Sequence, residues 1–215
     1  MTKLIADMSM SLDGKIATPD DDIARLVRWF FAGDTEVGPF RVSKGSATLL
    51  SEAFESVGAL VGGRRYFDLA QGWGGRHPMD VPVYILTHEP PADWPADSPI
   101  KFVTDGVESA VEQARAAAGG KDVGIATPGV VRQCLDAGLL DELQVNLVPV
   151  VLGEGLPYFD GIVGAVELEG PEIVEGAGGV HLRYRVVRQP EGGEHAGAEA
   201  QVARVAQRGR ATASA

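Results

Sequence analysis

Eight short apolar runs separated by amphipathic segments constrain the fold of this chain more than any other feature of its sequence. They lie at 3–10, 58–63, 81–88, 100–104, 122–127, 142–152, 165–175 and 180–187. Short apolar runs that alternate with helical segments are typical of an α/β fold with a mainly parallel sheet. The last two runs alternate apolar with polar residues and are joined by the sequence GAGG, which is typical of an antiparallel hairpin. We therefore expect a mainly parallel central sheet of about eight strands that ends in a C-terminal antiparallel hairpin.

Helical patterns occupy four of the intervening segments, at 21–31, 46–54, 104–120 and 127–139. In the third segment, Asp105 is the expected N-cap, with Glu108 three residues later to complete a capping box. In the fourth, Thr127 is the expected N-cap, Pro128 occupies the first helical position and Gly138 follows the last turn. Both of these helices begin directly after an apolar run, as the helices of a parallel α/β sheet do.

The chain divides into a body and a tail of different composition. Residues 1–188 contain all the apolar runs, and a chain of 215 residues buries one large core rather than two, so we expect a single domain there. Residues 189–215 contain no aromatic residue and consist mainly of Ala, Gly, Glu, Gln and Arg. That composition cannot bury enough apolar surface to fold, so we predict a disordered tail.

Charge and cysteine content argue against several partners and compartments. The formal net charge is -11, and an acidic protein is repelled by phosphate backbones and anionic membranes, so we expect no nucleic acid and no membrane as partner. The first apolar run is interrupted by Asp7 and resembles neither a signal peptide nor a membrane span, which needs ~18 apolar residues. Because Cys134 is the single cysteine, no intramolecular disulfide can form, and we expect a reducing, cytoplasmic location.

Within this acidic chain, Gly62 and Gly63 are followed by two adjacent arginines, Arg64 and Arg65. Glycine leaves room for a ligand to approach the backbone, and guanidinium groups bind phosphate through paired hydrogen bonds. The loops that follow parallel strands meet at one edge of the sheet, where helix N-termini attract anions. The loops expected there are 62–65, 87–89, 104–105 and 127–129. We interpret this edge as a phosphate site; the alternative is a surface turn with solvated charges.

Several common site motifs are missing from the sequence. It contains no G-x-G-x-x-G or G-x-x-x-x-G-K-[ST] motif for nucleotides and no G-x-S-x-G nucleophile elbow. The four histidines are far apart and a single cysteine completes no zinc set, so we expect no metal site. The acidic run at 20–22 is interpreted as the start of a helix rather than as a metal site.

Five segments follow one another as in one known family. They are MSMSLDGKIA (8–17), VGGRRYFD (61–68), VPVYILTHEPP (81–91), FVTDGVESAV (102–111) and RQCLDAGLLDELQVNLVPVVLGEGLPYFDG (132–161). On these segments the body resembles, over nearly its full length, the dihydrofolate reductase-like family that includes the C-terminal reductase domain of the bacterial riboflavin deaminase-reductase. The resemblance implies a three-layer α/β dihydrofolate reductase-like fold and NADPH as the hydride donor.

The resemblance also implies which positions contact NADPH. Those matched to its phosphates and pyrophosphate are Gly63, Arg64, Arg65, Thr127, Pro128 and Gly129. Those matched to its adenosine ribose, 2′-phosphate and adenine are Thr87, His88, Thr104 and Asp105. Ala6 and Ile16 match positions that line the nicotinamide.

Two departures from the family pattern affect this site. Tyr66 stands where the family usually has a threonine, which removes a short hydroxyl from the phosphate turn. Thr127 and Pro128 stand where the family typically has adjacent glycines. We hypothesise that the Thr127 hydroxyl and the helix N-terminus compensate, and that the Thr127–Pro128 bond is cis, since proline permits that isomer.

The substrate side is less constrained. The resemblance places Asp13 and Gly14 between cofactor and substrate, where Asp13 either orients or protonates the substrate or forms an ordinary Asp-Gly turn. Trp29, with the two phenylalanines after it, is a candidate stacking wall for a planar heterocycle, and its alternative is a place in the core. The segment 33–45 is a candidate lid, with a plain connecting loop as the alternative.

Three functions follow from these observations. The first is an NADPH-dependent reductase of a small heterocyclic or conjugated molecule. The second is the 5-amino-6-ribosylaminouracil phosphate reductase of riboflavin synthesis, although the fused zinc deaminase motifs are missing from the chain. The third is a non-catalytic binding protein that retains the fold. We also expect a homodimer through the apolar run at 143–152, which alternatively forms a buried central strand.

Overall fold

The computed structural model describes residues 2–187, so the predicted disordered tail at 189–215 lies outside the described residues. Its strands and helices are, in chain order, β1 (Leu4–Ser11), β2 (Lys15–Ala17), β3 (Thr35–Val37), β4 (Phe40–Val42), α1 (Lys44–Ser56), β5 (Val57–Gly63), α2 (Arg64–Leu69), β6 (Val83–Leu86), β7 (Ile100–Val103), α3 (Val107–Ala117), β8 (Asp122–Ile125), α4 (Pro128–Asp136), β9 (Glu142–Val148), β10 (Leu156–Pro157), β11 (Leu168–Gly176) and β12 (Gly179–Val186). Short 3-10 helices lie at Arg28–Phe31 and Gln71–Gly75. Within residues 2–187, none of the helices combines the length and the apolar character needed to span a bilayer.

One eight-stranded sheet forms the centre of the structure, in the order β11-β12-β9-β1-β8-β5-β6-β7. The six strands from β9 to β7 run parallel to one another, whereas β12 and β11 pair antiparallel at one end. Each of the eight predicted apolar runs supplies one strand of this sheet, and the last two form the predicted hairpin. The predicted mainly parallel α/β architecture is therefore confirmed.

Helices and turns on both faces of the sheet make a three-layer structure. On one face, α3 and α4 bury Val111 and Val131 against Val61. On the other face, α1 and the first 3-10 helix enclose a second apolar core. Successive residues of a strand point to opposite faces, so Ala6 faces α3 and α4 whereas Asp7 faces the side of α1.

The prediction of a helix at 21–31 is wrong except for its last turn. Only Arg28–Phe31 is helical, as a 3-10 turn. The preceding residues are held by local side-chain bonds: the Asp22 N–H donates to the Thr18 hydroxyl, 3.0 Å away, and the Ala24 N–H donates to the Asp22 carboxylate, 2.7 Å away. Such bonds offer the backbone an alternative to the helix ladder, which is why the apolar pattern did not prevail.

The helix starts agree with prediction in position but not in every cap. Helix α3 has Gly106 as its N-cap, because Asp105 instead accepts a hydrogen bond from the Ser109 hydroxyl. Helix α4 begins after Thr127 with Pro128 at its first position, as predicted, but the Thr127 side chain does not cap it. The Thr127–Pro128 bond is trans, so the cis hypothesis is wrong.

The structure shows what two further segments with alternative interpretations form. Residues 35–42 form a two-stranded hairpin, β3 with β4, rather than a plain connecting loop. Strand β9 pairs with β1 on one side and β12 on the other, so the run 143–148 is a central strand. A homodimer cannot use the edge of β9, and self-association stays a prediction without an assigned surface.

Candidate functional site

A cavity of about 840 Å³ opens at the carboxyl edge of the parallel strands, and we name it the edge cavity. The predicted cofactor positions that line it are Ile16, Gly63, Arg64, Arg65, Thr87, His88, Thr104, Thr127, Pro128 and Gly129. Ala6 is fully buried within the sheet and does not line the cavity, and Asp105 lies just beyond its lining. The structure thus gathers most of the predicted positions in one place, while their contact with a cofactor stays a prediction.

The strands β5 and β8 are neighbours, and their ends build the floor of the edge cavity. The Gly63 N–H donates to the Thr127 hydroxyl oxygen, 3.1 Å away. A Cβ added at Gly63 would lie 3.3 Å from that oxygen, which is tighter than ordinary contact, so glycine suits this junction. At Gly129, in the first turn of α4, a Cβ would meet nothing within 4 Å. The first N–H groups of a helix lack intrahelical acceptors, so this open turn presents donors to an anion.

The two adjacent arginines lie at the rim of the edge cavity, each with an acidic partner. Arg64 donates from Nε to Asp68, 2.8 Å away, one turn along α2. Arg65 donates to both carboxylate oxygens of Asp21, at 2.5 and 3.1 Å. Exposed pairs of this kind contribute only about 0–1 kcal/mol, so a phosphate can replace either carboxylate at small cost. Asp21 is a site residue that the sequence analysis missed, since only the fold brings it to Arg65.

An aromatic wall borders the edge cavity on the side of the other sheet face. It consists of Tyr66, Trp73 and His77, with ring centroids 4.8 Å apart for Tyr66–Trp73 and 4.9 Å for Trp73–His77. Trp73 reaches this position because residues 71–74 adopt left-handed backbone angles, including φ of 50° at Trp73 itself. Gly62 gives the Tyr66 ring room, because a Cβ there would lie 2.9 Å from the ring.

Beyond this wall, a groove of about 710 Å³ runs along the sheet face between α1 and the aromatic wall, and we name it the face groove. Phe30, Phe40 and Phe54 contribute apolar surface to it. Tyr66 and Trp73 line both the edge cavity and the face groove, so the two spaces adjoin at these side chains. Sequence reasoning did not find this groove, because its lining comes from many separate parts of the chain, from Lys3 to Arg183.

Asp7 lies in the face groove and is held by two side-chain amides. Gln144 donates to one carboxylate oxygen at 2.9 Å and Asn146 to the other at 2.6 Å. The Asn146 oxygen accepts from His181 Nδ1 at 2.7 Å, and His181 Nε2 accepts from the Ser46 hydroxyl at 2.8 Å. In the series from Ser46 through His181 and Asn146, each hydrogen bond therefore donates in the direction of Asp7. Although the Asp7 side chain is exposed to the groove, desolvation by the surrounding protein raises its pKa above the ordinary value, while the two amides and Arg183 act in the opposite direction.

Asp13 and Gly14 form a turn and do not line either space. The Gly14 N–H donates to the Ser11 carbonyl, with φ of 78° at Gly14. The Asp13 carboxylate accepts from the N–H groups of Leu152 and Gly153, at 3.0 and 2.8 Å. The Leu152 bond above all, with Ser11 and Gly153, lowers the pKa of Asp13 to about 2. An ionised, engaged carboxylate matches the turn alternative rather than a proton donor, and Gly14 matches the turn rather than a substrate contact.

Trp29 belongs to the core and not to a substrate wall. Its side chain is 1% exposed, its Nε1 donates to the Ser9 hydroxyl at 2.9 Å, and its ring stacks on Phe30 at 4.0 Å. The predicted substrate contact of Trp29 is therefore corrected to the core alternative. Within the described part of the chain, no group of three or more His, Cys, Asp or Glu side chains is placed to hold a metal ion.

Comparison with known proteins assigns a family to this arrangement. The family model described as the RibD C-terminal domain matches residues 2–182. YwjB of Bacillus subtilis, an uncharacterised protein, is 23% identical over 182 residues, which cover 85% of this chain and 97% of YwjB. The match confirms the family resemblance drawn from the sequence, while the domain bounds of 1–188 stay a prediction.

Solved structures share the fold. One from Shewanella, described as a candidate riboflavin biosynthesis protein, is 23% identical with a TM-score of 0.65, and the match covers 87% of this chain and 100% of that one. The deaminase/5-amino-6-(5-phosphoribosylamino)uracil reductase of Thermotoga maritima is 15% identical with a TM-score of 0.57, over 86% of this chain and 57% of that one. At these identities the structural matches establish a common architecture.

Proposed function

This chain belongs to the RibD C-terminal domain family, and we propose that it is an NADPH-dependent reductase that transfers hydride to a small heterocyclic or conjugated molecule. One observation carries the proposal. The edge cavity and the face groove lie next to each other, because Tyr66 and Trp73 line both of them. A reductase of this kind needs one space for the cofactor and an adjoining one for the substrate, because hydride transfer requires reacting atoms about 3–3.5 Å apart.

The residues of the edge cavity fit a phosphate-rich cofactor. Its volume of about 840 Å³ lies within the ~300–1,000 Å³ typical of ligand pockets. The open first turn at Gly129 provides backbone N–H groups for a pyrophosphate. Arg64 and Arg65 at the rim provide guanidinium groups for the phosphates of the cofactor. The bound cofactor would supply the hydride, and the protein would supply position and electrostatics.

The face groove fits a planar substrate with N–H groups. Its aromatic surface suits a flat ring, and the Asp7 carboxylate between two fixed amides suits ring or amino N–H donors. The names of the Shewanella and Thermotoga structures point to the riboflavin pathway, so 5-amino-6-(5-phosphoribosylamino)uracil is the first compound to test. The precise substrate is part of the proposal.

Titration with NADPH and NADH in parallel tests the cofactor assignment. We expect NADPH to bind with a micromolar dissociation constant, about −8 kcal/mol, and more tightly than NADH. Arg64→Ala should weaken NADPH about tenfold or more, the effect of losing a charge-assisted bond of ~1.5–3 kcal/mol. Arg76→Ala is the matched control, since Arg76 pairs with Asp80 four residues along the chain, as Arg64 does with Asp68, but lines neither space.

The outcomes separate the three functions. NADPH binding with oxidation in the presence of a pterin, a pyrimidinone or a quinone supports the reductase, and preference for the uracil compound supports the riboflavin-pathway reaction. Tight NADPH binding without oxidation by any of them favours a binding protein. Failure of both nicotinamide cofactors to bind would mean that Tyr66 and Thr127–Pro128 close the site, and the reductase proposal would be abandoned.

A further inference from the structure

The proposed hydride transfer needs a proton for the substrate atom opposite the new C–H bond, and Asp13 does not provide it. We propose that the Tyr66 hydroxyl donates this proton and that His77 holds the Tyr66 oxygen in place. The inference rests on the proposed reductase function and adds to it a residue at which this chain departs from its family. His77 acts as a positioning residue.

Tyr66 stands where the two spaces adjoin. It lines both the edge cavity and the face groove, and its ring is fixed between Gly62 on one side and the edge of Trp73 on the other. Tyr66 is in the first turns of α2, directly after the strand end at Gly63. A ligand ring placed where cavity and groove meet would therefore contact this side chain from either space.

The hydrogen bonds around His77 determine where its proton lies. The Met79 N–H donates to His77 Nδ1 at 3.2 Å, so Nδ1 carries no proton. Burial lowers the pKa of His77 to about 4, so the ring is neutral near pH 7 and its proton is on Nε2. Nε2 lies 3.2 Å from the Tyr66 hydroxyl oxygen and must be the donor of that bond.

This tautomer leaves the proton of Tyr66 available. The Tyr66 oxygen accepts from His77, and no other side-chain hydrogen bond is recorded for it among residues 2–187. Burial also raises the pKa of Tyr66 to about 12, which keeps the hydroxyl protonated in the resting protein. The hydroxyl is thus a donor without an internal acceptor at the meeting point of the two spaces.

Asp7 is the face-groove carboxylate that is held by two side-chain amides, and its geometry makes it an acceptor. Both of its carboxylate oxygens receive amide N–H groups, from Gln144 and Asn146. Each oxygen keeps a second lone pair for a substrate N–H, and the amides are themselves fixed by further bonds to His181 and Arg183. Asp7 therefore binds substrate N–H groups, and the proton comes from Tyr66.

The reaction balances as follows. Hydride forms a C–H bond at the electrophilic carbon of a C=N, C=O or conjugated C=C bond, and the π electrons of that bond move to the far atom. That atom takes the hydroxyl proton of Tyr66, so the substrate gains two electrons and the reduced nicotinamide loses two. The tyrosinate that remains is stabilised by the Nε2–H of His77, because a hydrogen bond to a charged oxygen is stronger than one to a neutral oxygen. It regains its proton from water.

The first test does not depend on activity. Nitrogen-15 NMR of the protein without ligands should show His77 as the neutral Nε2–H tautomer. In Tyr66→Phe the Nε2 proton should shift upfield, since its acceptor is removed, whereas Tyr84→Phe should leave it unchanged. Tyr84 is a partly buried tyrosine of β6 that lines neither space. An Nδ1–H tautomer would overturn the proposal, because Tyr66 would then give its proton to His77.

The second test uses whichever of 5-amino-6-(5-phosphoribosylamino)uracil, dihydrofolate or a naphthoquinone the wild-type protein reduces. Tyr66→Phe should lower kcat by about 10²–10⁴, the usual contribution of a general acid, with the dissociation constant of NADPH unchanged. His77→Leu should lower kcat less, and His77→Gln should recover part of the loss because it keeps an N–H donor.

The failures are distinguishable. If Tyr66→Phe turns over as fast as the wild type, the proton-donor role is wrong while the reductase function stands. If the wild-type protein oxidises NADPH with none of the probes, the reductase function fails and the proton donor with it. If Tyr66→Phe loses activity only through weaker NADPH binding, Tyr66 shapes the cofactor site and does not deliver the proton.

Discussion

The N–H of Gly63 donates a hydrogen bond to the hydroxyl of Thr127 across 3.1 Å, and this bond joins the ends of two adjacent parallel strands. Gly63 ends β5 and Thr127 follows β8, and each is the N-cap of the next helix. We predicted that the Thr127 hydroxyl caps a helix. Instead, it links the loop after β8 to the loop after β5 at the edge cavity.

Thr127→Val tests this junction. Valine keeps the shape of the side chain but leaves the Gly63 N–H without its acceptor, so we expect a loss of about 1 kcal/mol in the free energy of unfolding and weaker NADPH binding. Urea denaturation and calorimetric titration measure the two effects. The control is Thr35→Val in the β3–β4 hairpin, which does not line the edge cavity. Equal losses in the two variants would contradict the assigned role.

Trp29 and Phe31 provide a paired test of the corrected substrate wall. Trp29 is 1% exposed and Phe31 is 65% exposed. Trp29→Ala should reduce the free energy of unfolding by about 3–5 kcal/mol, as for a large core side chain, whereas Phe31→Ala should change it by less than about 0.5 kcal/mol. Chemical denaturation distinguishes them. A mild effect of Trp29→Ala on stability, combined with a large rise in substrate KM, would restore the substrate-wall interpretation.

Asp13 should make the stability of the protein sensitive to acid. Its pKa is lowered from 3.8 in a model compound to about 2 in the folded protein, so folding favours the ionised form. This contribution is fully present above about pH 4 and is lost as the pH falls through the folded value. Urea unfolding between pH 5 and pH 2 should therefore show a steeper loss of stability in the wild type than in Asp13→Asn. Parallel curves would show that the Leu152 and Gly153 bonds contribute nothing to folding.

Asp7 should titrate well above an ordinary aspartate. Carbon-13 NMR of its carboxyl group should give a pKa above the ordinary 3.8, since desolvation in the groove outweighs the amide bonds that oppose it. Gln144→Leu removes one of those amide donors and should raise the pKa further. Gln113→Leu, at an exposed position of α3, should leave it unchanged. A lower pKa in Gln144→Leu would mean that the amide does not stabilise the charged form.

The sheet could be predicted from the sequence because each strand carries its own signal. The runs at 58–63 and 122–127 are apolar on both faces and bounded by glycine, proline or charged residues. Each can therefore be predicted as a strand without knowledge of the strands that pair with it. Local chemistry also marked the ends of α4 through Pro128 and Gly138. The same local reasoning failed at 21–31, where short-range side-chain bonds of Thr18 and Asp22 outweigh the helical pattern.

The face groove could not be predicted, since its chemistry depends on contacts between distant positions. Asp7 meets Asn146 only because β1 lies beside β9, 139 residues along the chain. Tyr66 was visible as a departure from the family, but its bond to His77 depends on the left-handed turn at 71–74. The glycines of QGWGG were the one signal in the sequence that could have indicated such a turn.

The place of β1 between β8 and β9 also sets an order of assembly. β1 is synthesised before its hydrogen-bonding neighbours β8 and β9. Both follow more than 110 residues later in the chain, and β9 ends at Val148. Closing so long a loop is slow, because its entropy cost comes before any contact repays it. During synthesis the strand that carries Asp7 therefore waits unpaired, and the face groove comes into existence only when the last parallel strand docks. An incomplete nascent chain is thus unable to bind substrate there.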